Sequence, residues 1–156
     1  MYSFFLILHS WLRWGALIAG LLAAFTLVTA RPQPKAASPA DRWGLFFMIA
    51  LDLQLLIGLL LYFVVSPNMS AIRANMAASM RDPVARFWAV EHITAMLVAV
   101  VGLHVGRVLS RKSTSPDSRR RRMLIGVSLA MLAILWATPW PGRPAGRPMF
   151  RVSAQP

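Results

Sequence analysis

Seven side chains that can ionise, coordinate a metal or hydrogen-bond lie inside stretches that are otherwise apolar: His9, Arg13, Asp52, Gln54, Glu91, His92 and His104. An ionisable group at the centre of a hydrophobic helix costs about 2.5 to 3.5 kcal/mol on insertion scales, so each calls for a partner or a role. The histidines carry the most specific chemistry. Two neutral imidazoles facing one iron from opposite sides form the axial pair of a b-type haem. The chain contains no Cys, which excludes thiolate metal sites, iron–sulfur clusters, disulfides and covalent haem attachment.

Other chemistries find no support. The sequence has no glycine-rich phosphate loop, no His-Glu-x-x-His pair and no Ser/His/Asp set in a soluble pocket. Without an internal repeat or an interrupted helix pair it does not read as an autonomous transporter. Its nine Met residues show no clustering within the apolar stretches and read as packing.

The elements that must position the polar residues are membrane helices. A composition that is 57% hydrophobic with a mean hydropathy of +0.56 exceeds what a water-facing surface tolerates. Four stretches, roughly 3 to 29, 43 to 65, 87 to 109 and 123 to 140, are long enough to span a bilayer. Ser38-Pro39, Asp82-Pro83 and Ser115-Pro116 each place a capping residue before a proline at the first helical position, and Asp41 and Asp117 follow in first turns. Pro32, Ser66-Pro67 and Pro139 mark stops. The expected fold is all-α: an up-down bundle of four transmembrane helices over residues 1 to 140, followed by an extended basic Pro/Gly/Arg tail over 141 to 156 that orders only against a partner. Between the second and third spans, Met69, Ile72, Met76 and Met80 recur at helical spacing, predicting a short helix on the membrane surface.

The formal charge is +12, yet its placement between apolar stretches speaks for membrane topology and against nucleic acid. Loop 1 (Arg31, Lys35, Arg42) and loop 3 (Arg107, Arg111, Lys112 and Arg119 to Arg122) hold ten Lys/Arg; loop 2 and the tail hold six (Arg73, Arg81, Arg86, Arg143, Arg147, Arg151). Loops 1 and 3 are therefore expected inside and both termini in the periplasm, as in a multi-pass protein of a bacterial inner membrane. Trp11, Trp43, Trp88 and Trp140 fall near span ends as an aromatic belt. Arg119, Arg120, Arg121 and Arg122 sit in the first turns of the fourth span, where the helix dipole disfavours them, so anionic lipid headgroups are their expected counter-charge. Val28-Thr29-Ala30 resembles a signal-peptide cleavage site, but cleavage there would leave the four arginines outside, so the first span is expected to stay.

Within this topology His9 and His92 each lie about one and a half turns below the outer surface. The first and third helices of an up-down bundle are diagonal, so both imidazoles can reach the central axis. Ala16, Gly20 and Ala24 beside His9, and Ala89, Ala95 and Ala99 around His92, leave room for a cofactor or allow close helix approach. Arg13, one turn below His9, and Asp52 fall at nearly one depth and are expected to pair; the alternatives for Arg13 are a haem propionate or a quinone headgroup. With Gln54 and Glu91 they would make a buried polar cluster, Glu91 pairing with His9, Arg13 or Arg86. His104, twelve residues below His92, has no second histidine at its depth and is expected to serve packing or the inner interface beside Arg107.

The segments His9-Ser10-Trp11-Leu12-Arg13-Trp14, Asp52 to Gly58, Leu61-Tyr62, Phe87 to His92 and Thr138-Pro139-Trp140-Pro141 resemble those of small four-helix bacterial membrane proteins labelled b-type-cytochrome-like. The resemblance implies a shared fold with His9, Arg13, Asp52, Gln54, Glu91 and His92 at matching positions. The expectation is a cytochrome-like subunit, with His9 and His92 holding the iron of one haem b and Arg13 beside it, exchanging electrons with a quinone pool or with other membrane subunits. Its competitor is a haem-free accessory subunit of a larger respiratory or photosynthetic complex. A small enzyme of quinone or porphyrin metabolism ranks below both.

Overall fold

The structure, a computed structural model, describes residues 1–29 and 38–150. Arg31, Pro32 and Lys35, which entered the topology and stop signals, lie outside the described residues, as do Ala30 of the cleavage signal and Arg151. Among the described residues the chain is helical and contains no strand. It runs through α1 (Tyr2–Thr29), α2 (Pro39–Leu60, continued by a π-helical turn, Leu61–Val65), α3 (Pro67–Ala74), α4 (Met76–Ser79), α5 (Pro83–Arg86), a second π-helical turn (Phe87–Glu91), α6 (His92–Arg111) and α7 (Pro116–Ala137).

Three helices are long and apolar enough to cross a membrane: Tyr2–Thr29, Pro39–Val65 and Pro83–Arg111. The chain is thus a multi-pass membrane protein by length and composition. At 22 residues, α7 matches α2 in length, but Arg119 to Arg122 occupy its first turns.

The caps form as the sequence dictates. Ser38, Asp82 and Ser115 accept from the backbone N–H groups of Asp41, Ala85 and Ser118 at 3.2, 2.8 and 3.2 Å, and the following prolines lack the N–H that would otherwise be orphaned. Ser66-Pro67 ends one helix and starts another, since Ser66 also caps α3 by accepting from Met69 N–H. The expected single surface helix over 69 to 80 is two. Asn75 leaves helical geometry and caps α4, so only Met69 and Ile72 turn inward, against Ala89, Tyr62 and Trp88, while Met76 and Met80 are exposed.

Helices α1 with α2 and α6 with α7 form the two tight pairs, and lighter α1–α7 and α2–α6 contacts close the ring. Helices α1 and α6 therefore face each other diagonally, as expected for an up-down arrangement. A glycine pair explains the closeness of α6 to α7: a Cβ on Gly106 would lie 2.7 Å from Gly126 Cα, a backbone approach that small residues permit. The core between the pairs is built from Ala16, Ala23, Phe47, Leu103, Val127 and Ala130, all at most 1% exposed.

The charges assigned to loop 3 are more structural than the sequence implied. Arg107, counted above as a loop charge, is 5% exposed; its Nη1 sits 3.5 Å from Asp41 Oδ1 and 3.3 Å from the Asp41 carbonyl, to which it donates. Arg120 donates to the carbonyls of Leu27 and Val28, at 2.6 Å for the latter, and Arg122 to that of Leu109 at 3.1 Å. These carbonyls end α1 and α6, where orphan acceptors and the negative end of the dipole attract cations. Arg120 and Arg122, both assigned to lipid headgroups, thus have partners within the chain.

Candidate functional site

Diagonal placement brings His9 of α1 and His92 of α6 together, with ring centroids 6.4 Å apart and planes inclined by 69°. Each ring has a distinct seat. His9 lies over Gly58 of α2, where an added Cβ would stand 3.3 Å from its Cε1. The buried Gln54 amide, one turn away on the same face of α2, donates from Nε2 to the His9 carbonyl at 2.9 Å. Among the described residues the buried His9 Nδ1 and Gln54 Oε1 have no hydrogen-bond partner.

His92 is oriented by the end of α7. A helical carbonyl at position 137 would accept from the N–H of residue 141, but that residue is Pro141 and has none to give. The Ala137 carbonyl takes His92 Nδ1 instead, at 2.9 Å. A carbonyl can only accept, so Nδ1 carries the hydrogen and the lone pair resides on Nε2. Pro139 frees the Leu135 carbonyl in the same way, and the Trp140 indole donates to it at 2.8 Å. The Thr138-Pro139-Trp140-Pro141 run is thus a device that exposes carbonyls and spends one of them on a histidine.

The segment before His92 is equally specific. In the π-helical turn Phe87–Glu91, Ala89 offers its carbonyl to the Tyr62 hydroxyl at 2.8 Å, joining it to the π-helical turn of α2. Such turns gather at functional sites because they displace side chains from the α-helical register. Here the displaced rings of Phe87 and Trp88 pack on His92 at 5.8 and 5.5 Å.

A cavity of about 160 Å³ opens beside the two imidazoles, lined also by Tyr2, Arg13, Gly58, Tyr62, Trp88 and Arg147. Arg147 comes from the tail, which was expected to order only against a partner. Through residue 150 it folds back onto its own bundle. Gly142 turns the chain at φ 89, a conformation glycine adopts without strain, and Arg147 N–H donates to the Pro139 carbonyl at 3.0 Å. Arg13 Nη2 and Trp14 Nε1 both donate to the Met149 carbonyl, at 2.9 and 3.1 Å. Phe150 stacks on Trp14 at 5.3 Å and 17°, and the Arg147 guanidinium lies 5.4 Å from the Trp88 ring centre. Aromatic stacking and indole hydrogen bonds give the Arg/Pro/Gly segment an intramolecular seat.

The expected buried polar cluster of Arg13, Asp52, Gln54 and Glu91 does not assemble. Asp52 and Gln54 are two residues apart, about 200° around a helix, so Gln54 faces α1 while Asp52 faces α6. There Asp52 Oδ2 lies 3.5 Å from His104 Nε2, replacing the anticipated Arg13–Asp52 pair and giving His104 a partner that sequence reasoning missed. Glu91 resolves its three options in favour of Arg86, at 2.8 Å.

Among the described residues no group of three or more His, Asp or Glu side chains could hold a metal ion. No family model, curated protein or solved structure matches the chain.

Proposed function

We propose that this chain is a cytochrome-like subunit of a bacterial inner membrane, in which His9 and His92 would hold one haem b. The observation that carries the reading is the pair of imidazoles presented from diagonal helices with 6.4 Å between ring centres. At that spacing both rings would hold one metal standing between them. His92 already has the hydrogen-bonding state of a ligand, Nδ1 engaged and Nε2 available, and His9 has a buried nitrogen to satisfy. Haem bound there supplies a one-electron couple.

The remaining roles fall to the cavity's own residues. Arg13 and Arg147 line it and suit the carboxylates of haem as guanidinium partners. The tail, pinned by Arg13 and Trp14, brings Arg147 to the cavity beside the imidazoles. Four spans with both termini periplasmic accord with the basic inner end, where Arg42, Arg111, Lys112 and Arg119 to Arg122 remain in excess after Arg107 is moved into the bundle. Arg121 is exposed and, on this reading, meets anionic headgroups. Electron exchange runs to the quinone pool or a partner subunit. The accessory-subunit alternative relied on a tail available to a neighbour, and to residue 150 that tail is engaged with α1.

Oxidised and dithionite-reduced visible spectra of the purified protein, with a pyridine haemochrome assay, test the proposal. Soret and α bands at about one haem per chain support it. A featureless spectrum from protein isolated in its native complex rejects it in favour of the accessory role.

A further inference from the structure

The second polar pair, Asp52 with His104, has no part in the site above. It sits within the apolar stretches of α2 and α6, about 18 Å along α6 from His92 at 1.5 Å per residue. Unlike the outer histidines it faces outward, with the His104 and Asp52 side chains 42% and 39% exposed. One turn away on the same two helix faces, Leu56, Val101 and Val108 are at least 50% exposed, so the pair is set in a hydrocarbon-facing surface. A molecule that binds on such a surface would arrive through the lipid.

The hydrogen-bonding state of the pair defines what it can bind. His104 Nδ1 lies 3.0 Å from the Val100 carbonyl, an acceptor only, so this nitrogen carries a hydrogen and Nε2 points at Asp52. Nε2 and a carboxylate oxygen are both acceptors unless one proton lies between them. At 3.5 Å the two atoms are farther apart than a direct hydrogen bond of 2.7 to 3.2 Å, which leaves both able to engage a third polar atom. The pair is thus a one-proton donor–acceptor site: it accepts from a hydroxyl when deprotonated and donates to a carbonyl when protonated. Ionisable groups placed in a membrane at such a cost mark ligand or proton sites.

We infer that Asp52 and His104 form a binding site for a lipid-dissolved molecule with a hydroxyl- or carbonyl-bearing ring, of the quinol/quinone type, entering laterally between α2 and α6. Small lipid-soluble rings of this class present both hydrogen-bonding forms that the pair can complement, and the flanking Leu56, Val101 and Val108 offer apolar contact to an alkyl tail. The site stands independently of haem at His9 and His92.

The test uses full-length protein in nanodiscs, photolabelled with an azido-substituted benzoquinone carrying a short alkyl tail, with adducts mapped by mass spectrometry. Adducts are expected on residues 49–56 and 100–108, reduced about five-fold by Asp52→Asn and by His104→Gln, the loss of one hydrogen bond. A second measurement needs no variant: dicyclohexylcarbodiimide, which reaches carboxyls from the lipid, modifies Asp52 in wild-type protein, and excess unlabelled quinol slows that modification. Adducts confined to the His9/His92 cavity, equal labelling of the variants, or carbodiimide modification indifferent to quinol each overturn the inference. So does loss of self-association in the variants with labelling unchanged, which assigns the pair to an interface between copies. Because labelling requires no bound haem, its failure is distinguishable from a failed haem assignment.

Discussion

The Nδ1 of His92 lies 2.9 Å from the carbonyl of Ala137, the last residue of α7. That carbonyl is available because residue 141 is a proline. One missing N–H beyond the end of α7 thereby fixes the tautomer of a histidine on α6, and the freed carbonyl is the kind of outer partner that commonly sets the orientation and basicity of a ligating imidazole.

Pro141→Ala restores an N–H that can compete for the Ala137 carbonyl. Haem affinity is expected to fall about ten-fold, the lower end of losses from removing a ligand's hydrogen-bond partner. Haem titration of apoprotein, wild type against variant, measures it; an unchanged affinity means the His92–Ala137 bond does not tune the site.

Gly106→Ala brings a methyl group to within 2.7 Å of Gly126 Cα, a backbone atom that cannot rotate away. Overpacking of this kind costs about 1 to 3 kcal/mol, readable as a lower midpoint in denaturant unfolding in mixed micelles. Gly15→Ala is the control, since nothing lies within 4 Å of its added Cβ, and its midpoint should hold or rise slightly.

Arg107→Met removes the cation from Asp41 at the end of the bundle where α2 begins. Taking the partner from a part-buried carboxylate costs about 1 to 3 kcal/mol. The double variant with Asp41→Asn should recover part of that loss in the same unfolding experiment. No recovery would show that Arg107 acts through packing and its bond to the Asp41 carbonyl and not through the carboxylate.

Phe150→Ala deletes the ring stacked on Trp14. Such stacking is worth about 0.5 to 1.5 kcal/mol, so the tail should open several-fold more often and the Arg147 N–H, bonded to the Pro139 carbonyl, should exchange with deuterium correspondingly faster. Equal exchange rates in wild type and variant would mean that the stack does not hold the tail.

Local signals in the sequence carried far. A Ser or Asp before Pro fixes a helix start through three or four neighbouring atoms, and all three starts form as read. The meeting of His9 and His92 was also legible, since depth and diagonal position follow from helix order and rise alone. Partnerships of single polar residues were harder. Asp52 and Gln54 share a depth but face opposite sides of α2, and depth matching alone put Asp52 with Arg13. Arg107 looked like a loop charge because it lies near a helix end, although a cation four residues from the end of α6 still points into the bundle. The tail contacts rest on an indole, a guanidinium and one carbonyl converging from distant positions, and no periodicity records that. The role of Pro139 and Pro141 was present in the sequence as missing N–H donors, but which groups use the freed carbonyls emerges only from the packing of α6 on α7.

The central claim, that both His9 and His92 ligate one iron, is tested most directly by the spin state of haem in His9→Ala and His92→Ala protein, followed by visible spectra and low-temperature electron paramagnetic resonance. Two imidazole ligands predict a six-coordinate low-spin centre in the wild type and conversion to high-spin or haem-free protein in either variant. A low-spin signal that survives both substitutions, or a wild-type protein that carries no haem in its native complex, contradicts it.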